Sequence, residues 1–292
     1  MGLVTIFTPT YNRVPLLSKL YESLCQQSDK DFVWYIVDDG SDDDTSHFVS
    51  LWKKTAPFQI IYRYQINSGK HIAYNLALQE CNTEWFVCID SDDVLLNNGV
   101  ALMKEYASKI HGDLAGIIFP RQLNGHRSYS LSRIIDGPID IMDLKYKYNF
   151  NGETSILFKT QIAKQYLFPY FHGEKFMSEE IVYINMSKKY KFLYINYPLC
   201  SYEYHSDGLT KNLYINWANN YYSTNLLLNM RYLYLSKYKF SVRIENRLKT
   251  IINHSAVSFK AKINPIEHSP SKLLTIVLFI PSIIFYFSKY HR

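Results

Sequence analysis

Residues 3–38 read LVTIFTPTYNRVPLLSKLYESLCQQSDKDFVWYIVD, and within that stretch the hydrophobic period changes twice. Leu3–Thr8 and Phe32–Asp38 are short β-branched and aromatic runs, the composition of buried strands. Between them Leu16, Leu17, Leu20 and Leu24 recur at helical spacing. The pattern continues outward: Phe58–Tyr64, Trp85–Ile89 and Leu114–Phe119 read as further strands, and Phe48, Leu51 and Trp52 mark another helix. Strands alternating with helices predict an α/β fold with a mostly parallel central sheet covered on both faces. Ligands of such sheets bind beyond the carboxyl ends of the strands, where the polar clusters of this sequence fall.

Beyond this core, residues 121–150 look irregular. A helix is expected to begin near Ser178 and a strand to run from Phe192 to Tyr202. Trp217–Phe259 is helical in pattern, and Asn264–Ser271 is a proline-containing break. No internal repeat is present. Leu273–Phe287 is apolar, interrupted by Pro281 and bracketed by Lys272, Lys289 and Arg292. It is shorter than the roughly 20 residues a helix needs to span a bilayer. The expectation is a tail lying in a membrane interface, with Tyr286 and Tyr290 near the headgroups. The alternative is a helix packed on the protein's own core.

The 292 residues are 47% hydrophobic, enough for a sizeable core, and 16% aromatic with 26 tyrosines. Such rings suit sugar faces and membrane interfaces equally. The net charge of +6 is spread along the chain; without a cationic stripe, nucleic-acid binding is not expected. Cys25, Cys81, Cys88 and Cys200 form no C-x-x-C pair, so neither a zinc cage nor a disulfide framework is indicated. The start runs directly into a strand, with no secretory signal pattern, and the expected location is the cytoplasm.

Two strand ends carry polar groups toward the same sheet edge: Thr8-Pro9-Thr10-Tyr11-Asn12-Arg13 and Val37-Asp38-Asp39-Gly40-Ser41. Asp39 is suited to accept from a uracil N–H and Tyr11 to stack on the ring; alternatively, residues 38–41 are only a turn that caps the next helix. No glycine-rich phosphate loop is present, so another group must neutralise a diphosphate. The fourth strand leads into Asp90-Ser91-Asp92-Asp93, a D-x-D pattern. If the strand continued extended, Asp90 and Asp92 would share a face. Two hard carboxylates suit Mg²⁺ or Mn²⁺ completed by water and phosphate oxygens. A calcium EF-hand is excluded by Leu95 and Ala101 at the positions that require Gly and Glu. A phosphatase of the haloacid dehalogenase type, with Asp90 as nucleophile, is a rival reading. Against it, three strands precede the motif and no later acidic pair follows.

With these motifs together, residues 3 to about 210 resemble a family 2 glycosyltransferase of the GT-A fold. The resemblance rests on Thr8–Arg13, Val37–Asp43, Asn67-Ser68-Gly69-Lys70 leading to Asn75, and Asp90–Asp93. It implies a metal-dependent inverting enzyme that takes sugar from a UDP-sugar. The acceptor implied is a glycan or lipid-linked molecule of surface polysaccharide assembly, at the inner face of the cell membrane. It implies Pro9, Tyr11 and Asp39 around the uridine, Lys70 and Asn75 along the donor, Asp92 on the metal, and Asp90 near sugar or ribose. Lys70 also stands at the start of an expected helix, whose N-terminus attracts anions; the alternative is a solvated surface lysine. The base, a carboxylate that deprotonates the acceptor hydroxyl, falls on Glu179 or Glu180, with Glu180 favoured. His205 is a candidate for the metal or the diphosphate. The domains implied are a transferase domain over 1–215, its nucleotide-sugar half 1–120 and acceptor-facing half 121–215, a helical extension over 216–263, and the tail 272–292. A catalytically inactive carbohydrate-binding module is the non-enzyme alternative.

Overall fold

The computed structural model describes residues 3–135, 137–203 and 212–291. The first half alternates as expected: β1 (Val4–Thr10), α1 (Val14–Cys25), β2 (Phe32–Asp38), α2 (Thr45–Thr55), β3 (Gln59–Tyr64), α3 (Lys70–Glu80) and β4 (Trp85–Cys88). β1 lies between β2 and β4, β3 lies outside β2, and all three pairings are parallel. β2 is buried at every position, which explains its unbroken apolar run. Trp34 and Trp52 stack with Tyr21 beneath this sheet, and Phe7, Phe86 and Tyr74 pack together. Part of the aromatic excess is therefore core.

After β5 (Val94–Leu95) and α4 (Gly99–Ala107), β6 (Leu114–Leu123) joins the sheet through β7 (Thr154–Lys159), which runs antiparallel to both β4 and β6. Gly116 permits this approach, since a Cβ there would meet the Leu157 carbonyl oxygen at 2.1 Å. Between β6 and β7 the chain is mostly turns, with the short α5 (Asp143–Tyr146); α6 (Thr160–Ala163) follows β7. The strand expected over 192–202 is two strands, β8 (Lys191–Tyr194) and β9 (Cys200–Tyr202), both parallel to β6. Pro198, which lacks a ladder donor, interrupts them. The order across the sheet is β3-β2-β1-β4-β7-β6-β9-β5, with β8 also on β6. This mixed α/β sheet, with helices and a helical C-terminal region, is a GT-A fold.

Two compact units make up the chain: one holds residues 1–167 and 185–203, the other 168–184 and 204–292. The second unit is helical, built from α7 (Glu180–Met186, which begins in it), α8 (Leu213–Asn219), α9 (Tyr221–Tyr234), a 3₁₀ turn, α10 (Phe240–Lys260), α11 (Lys272–Val277) and α12 (Phe279–Lys289). Buried Glu174 accepts from the Tyr222 and Ser223 amides and from the Ser223 hydroxyl, satisfying donors of the first turn of α9 that have no partner within the helix. The tail packs in part on its own unit: Phe285 and Tyr290 meet Tyr214 of α8, while Phe279 and Tyr286 meet Phe259 of α10. Among the described residues no helix is long and apolar enough to cross a membrane.

Candidate active site

The loops after β1 and β2 are stitched to each other. Asn12, at φ +50°, donates its amide to Ser41 Oγ and accepts from the Asp42 amide, both at 2.9 Å. Asp43 accepts from the amides of Val14 and Thr45, at the starts of α1 and α2. Pro9 is the penultimate residue of β1, and Tyr11 stands 47% exposed just beyond the strand, available to a planar ring. Asp38 and Asp39 do not cap α2, whose N-cap is Asp44. Instead Asp38 accepts from the Ser41 amide and the Tyr62 hydroxyl.

Asp39 turns toward the loop before α3. Its Oδ1 accepts from Gln65 Nε2 and the Ser68 amide, each at 2.7 Å, and its Oδ2 from the Gly69 amide at 2.9 Å. A carboxylate oxygen accepts about two hydrogen bonds, so Oδ2 retains one acceptor position. Gly69, at φ +94°, is the N-cap of α3, and the next residue, Lys70, reaches Asp90 Oδ1 at 2.7 Å. Consecutive residues thus connect the acid at the tip of β2 with the acid at the tip of β4. Lys70 is an ion-paired residue of this edge rather than a solvated surface lysine. Asn75 lies half-buried on α3.

The acidic segment after β4 is not extended. The Asp93 amide donates to the Asp90 carbonyl at 3.1 Å, closing a turn over 90–93, so strand alternation does not account for where its carboxylates lie; their cationic partners do. Asp90 faces Lys70 and, at 3.5 Å, Arg121; Asp92 pairs with Arg13 at 3.1 Å; and Asp93 pairs with Arg121 at 2.7 Å. Burial works against ionised Asp90, yet Lys70 and Arg121 outweigh it and hold the carboxyl well below the usual carboxylate range. For Asp93, burial together with the charges of Asp90 and Asp92 prevails over Arg121 and pushes the carboxyl up to about 7. Glu153, whose Oε2 lies 3.9 Å from Arg121, is raised by burial and by Asp90 and Asp92, against Arg121 and Lys70.

Arg121 and Glu153 were missed from sequence. Arg121 closes an apolar strand and is itself buried, donating to Ser155 Oγ at 2.9 Å. A cation ending a buried run requires a counter-ion, and that was the available signal.

Among the described residues no three His, Cys, Asp or Glu side chains converge as a ready-made metal cage. The donor set nevertheless fits a hard cation: Asp90 and Asp92, with side chains 25% and 23% exposed, offer carboxylate oxygens, and Mg²⁺ or Mn²⁺ takes few protein ligands and completes its shell with water and phosphate oxygens. His205 lies outside the described residues. Glu179 and Glu180 belong to the helical unit. Ser178 Oγ accepts from the Glu180 amide at 3.3 Å, in line with the expected helix start. The Glu180 carboxylate is clamped by Arg231, Nε to Oε1 and Nη2 to Oε2, each at 2.6 Å.

Residues 5–173 match the family described as Glycosyl transferase family 2. The chain belongs to that family, and the haloacid dehalogenase reading falls with it. A Campylobacter jejuni relative, named GalNAc(5)-diNAcBac-PP-undecaprenol beta-1,3-glucosyltransferase, is 25% identical over 195 residues, covering 66% of this chain and 62% of that protein. An uncharacterized glycosyltransferase of Rickettsia felis is 31% identical over 103 residues, 35% of this chain and 17% of its own length. The chain thus spans less than two thirds of the length of these curated relatives. Among solved structures, S. aureus TarS 1–349 in complex with UDP superposes at a TM-score of 0.62 with 15% identity, covering 100% of this chain and 93% of that one.

Proposed function

We propose that this chain moves a sugar from a UDP-sugar donor to a hydroxyl of a glycan or lipid-linked acceptor, with inversion, in surface polysaccharide assembly at the inner face of the cell membrane. The observation that carries this reading is the polar edge formed by Asp39, Lys70, Asp90, Asp92 and Arg13, five residues tied together through one loop and one turn. Support for the donor and acceptor classes comes from TarS, whose structure is described with UDP, and from the Campylobacter relative, whose name carries a diphospho-undecaprenol acceptor.

In this reading Pro9, Tyr11 and Asp39 hold the uridine, Asp39 through the acceptor position left on Oδ2. Lys70 and Asn75 line the donor, and Asp90 stands near the sugar or ribose. Asp92, with His205 as a further candidate, holds Mg²⁺ or Mn²⁺, which when bound supplies positive charge against the departing diphosphate. Lys70 and Arg13 serve the same anion by exchanging a carboxylate partner for a phosphate one, at little electrostatic cost because both partners are oxyanions. A carboxylate base takes the proton of the acceptor hydroxyl, the oxygen forms its bond to the anomeric carbon, and the bond from that carbon to the diphosphate breaks. Of the two glutamates, Glu180 is occupied on both oxygens by Arg231. Releasing it costs a charge-assisted bidentate pair, so for Glu180 to act as the base its pair with Arg231 must open; the base falls on Glu180 or Glu179.

A panel of UDP- and GDP-sugars tested for Mn²⁺-dependent thermal stabilisation decides the matter. A ligand at about 100 times its Kd stabilises the folded state by about 2.7 kcal/mol. The expected result is stabilisation by a UDP-sugar that needs Mn²⁺ and is lost in Asp92→Ala. No stabilisation by any nucleotide sugar would overturn the proposal, and sugar binding indifferent to both Mn²⁺ and Asp92→Ala would identify a carbohydrate-binding module instead.

A further inference from the structure

The last two helices present six large apolar side chains away from the protein, while Phe285 and Tyr286 pack on Tyr214 and Phe259 of their own unit. Along α11 and α12, Leu273, Ile276, Val277, Ile280, Ile284 and Phe287 recur at the three- and four-residue spacing of one helical face. All six are exposed, from 58% at Phe287 to 72% at Leu273. The opposite side buries Thr275 and Ser282, whose hydroxyls donate to the Ser271 and Leu278 carbonyls at 3.1 and 2.7 Å. A helix at home in water has the reverse arrangement, and a contiguous apolar stripe of this kind marks a surface covered by something else.

The charge around the stripe indicates what covers it. No Asp or Glu occurs from residue 268 to residue 292, while Lys272 opens α11 and Lys289 closes α12. Lys289 stands on the Ser282 side, with its ammonium over the Tyr214 ring. An apolar stripe opened by a cation and with no acid along it is complementary to a surface that is anionic outside and apolar beneath. A second copy fits less well. Pairing the stripe with itself offers Lys272 no carboxylate to meet.

We infer that this face docks on an anionic lipid bilayer, with the six apolar side chains in the boundary between headgroups and acyl chains and with Lys272 against phosphate groups. The inference deepens the proposed action on a lipid-linked acceptor and rests on that reading for its purpose; the geometry of the stripe is independent of it.

Co-sedimentation of the full chain, without nucleotide, with vesicles of phosphatidylethanolamine and phosphatidylglycerol tests it, against vesicles of phosphatidylcholine alone. Expected is binding to the anionic vesicles that weakens with added salt. Ile280→Ser with Ile284→Ser should lower partitioning by about tenfold per substitution, and Lys272→Gln by about fivefold. Both variants alter exposed positions, and circular dichroism verifies their fold. Absence of vesicle binding, or binding that neither variant weakens, overturns the inference. So does a dimer in light scattering that the isoleucine variant dissociates. Donor-dependent thermal stabilisation, measured on the same preparation, keeps the two proposals apart: its loss with vesicle binding intact refutes only the transferase reading, and its retention without vesicle binding refutes only the docking surface.

Discussion

Replacing Arg121 by methionine removes one charge from the acidic turn while keeping most of the side chain's bulk. Arg121 is only 8% exposed; Nη1 lies 2.7 Å from Asp93 and 3.5 Å from Asp90, and Nε donates to Ser155. At pH 8, above the value of about 7 to which Asp93 is pushed, taking one partner out of a buried ion pair costs about 3–5 kcal/mol, because the other charge is left uncompensated. Here the two acids do not share the loss equally. Lys70 still neutralises Asp90 at 2.7 Å, whereas the Asp93 side chain is 3% exposed and has Arg121 as its cation. The expected cost therefore sits at the low end, about 3 kcal/mol. Urea unfolding followed by tryptophan fluorescence reports it, since Trp34, Trp52 and Trp85 all lie in the α/β unit. With a slope of about 2 kcal/mol per molar urea, the midpoint should fall by about 1.5 M. The double variant Arg121→Met with Asp93→Leu deletes both charges and should recover more than half of the loss, since an apolar pair in place of a buried ion pair is often neutral. A single variant within about 1 kcal/mol of the parent, or a double variant worse than the single, would refute the view that Arg121 compensates a desolvated carboxylate.

Gly116→Ala forces a Cβ to 2.1 Å from the Leu157 carbonyl oxygen, so β6 and β7 must separate; a loss of about 3 kcal/mol or more is expected in thermal unfolding, and a neutral effect would contradict the close strand approach. Of Glu179→Gln and Glu180→Gln, the one that removes the base should lower kcat by about 10²–10⁴-fold, and kcat unchanged in both would refute a glutamate base at this position. Glu180→Gln should also destabilise the helical unit, by about 2 kcal/mol through the lost Arg231 pair, and unchanged melting would contradict the clamp. Burial holds the His254 imidazole down at about 4, from 6.5. With the folded state refusing a proton that the unfolded chain accepts, stability should fall as pH drops from about 6.5 to about 4, by about 3 kcal/mol in all. His254→Gln should flatten that slope in melting curves taken across the window, and an unchanged slope would assign the acid sensitivity elsewhere.

The parts of the fold that were legible are those whose signal is local. The first three parallel pairings follow from strand and helix periods that a window of ten residues displays, and β1, β2, β3 and β4 lie where the apolar runs of residues 3–89 put them. β7 was not marked, because Thr154–Lys159 is a six-residue run following an irregular stretch, and its antiparallel insertion between β4 and β6 is decided by partners far away in sequence. The same division holds at the candidate site. Residue type announced that Asp90 and Asp92 favour hard cations, but an extended-strand rationale was the wrong one, since the segment turns at Asp93. Nor did residue type reveal that Asp39 is already engaged by three donors, or that residues 168–184, with both glutamates, group with the helical unit. A carboxylate's affinity for cations is a property of the residue, whereas the cation it meets is a property of the tertiary structure. Burial forces the acids of this edge to find internal partners, and Lys70, Arg13 and Arg121 fill that role. In the proposed reading the residues that would bind a diphosphate and its metal are the ones already paired with each other, so binding would be an exchange of ion pairs rather than the filling of an empty cleft.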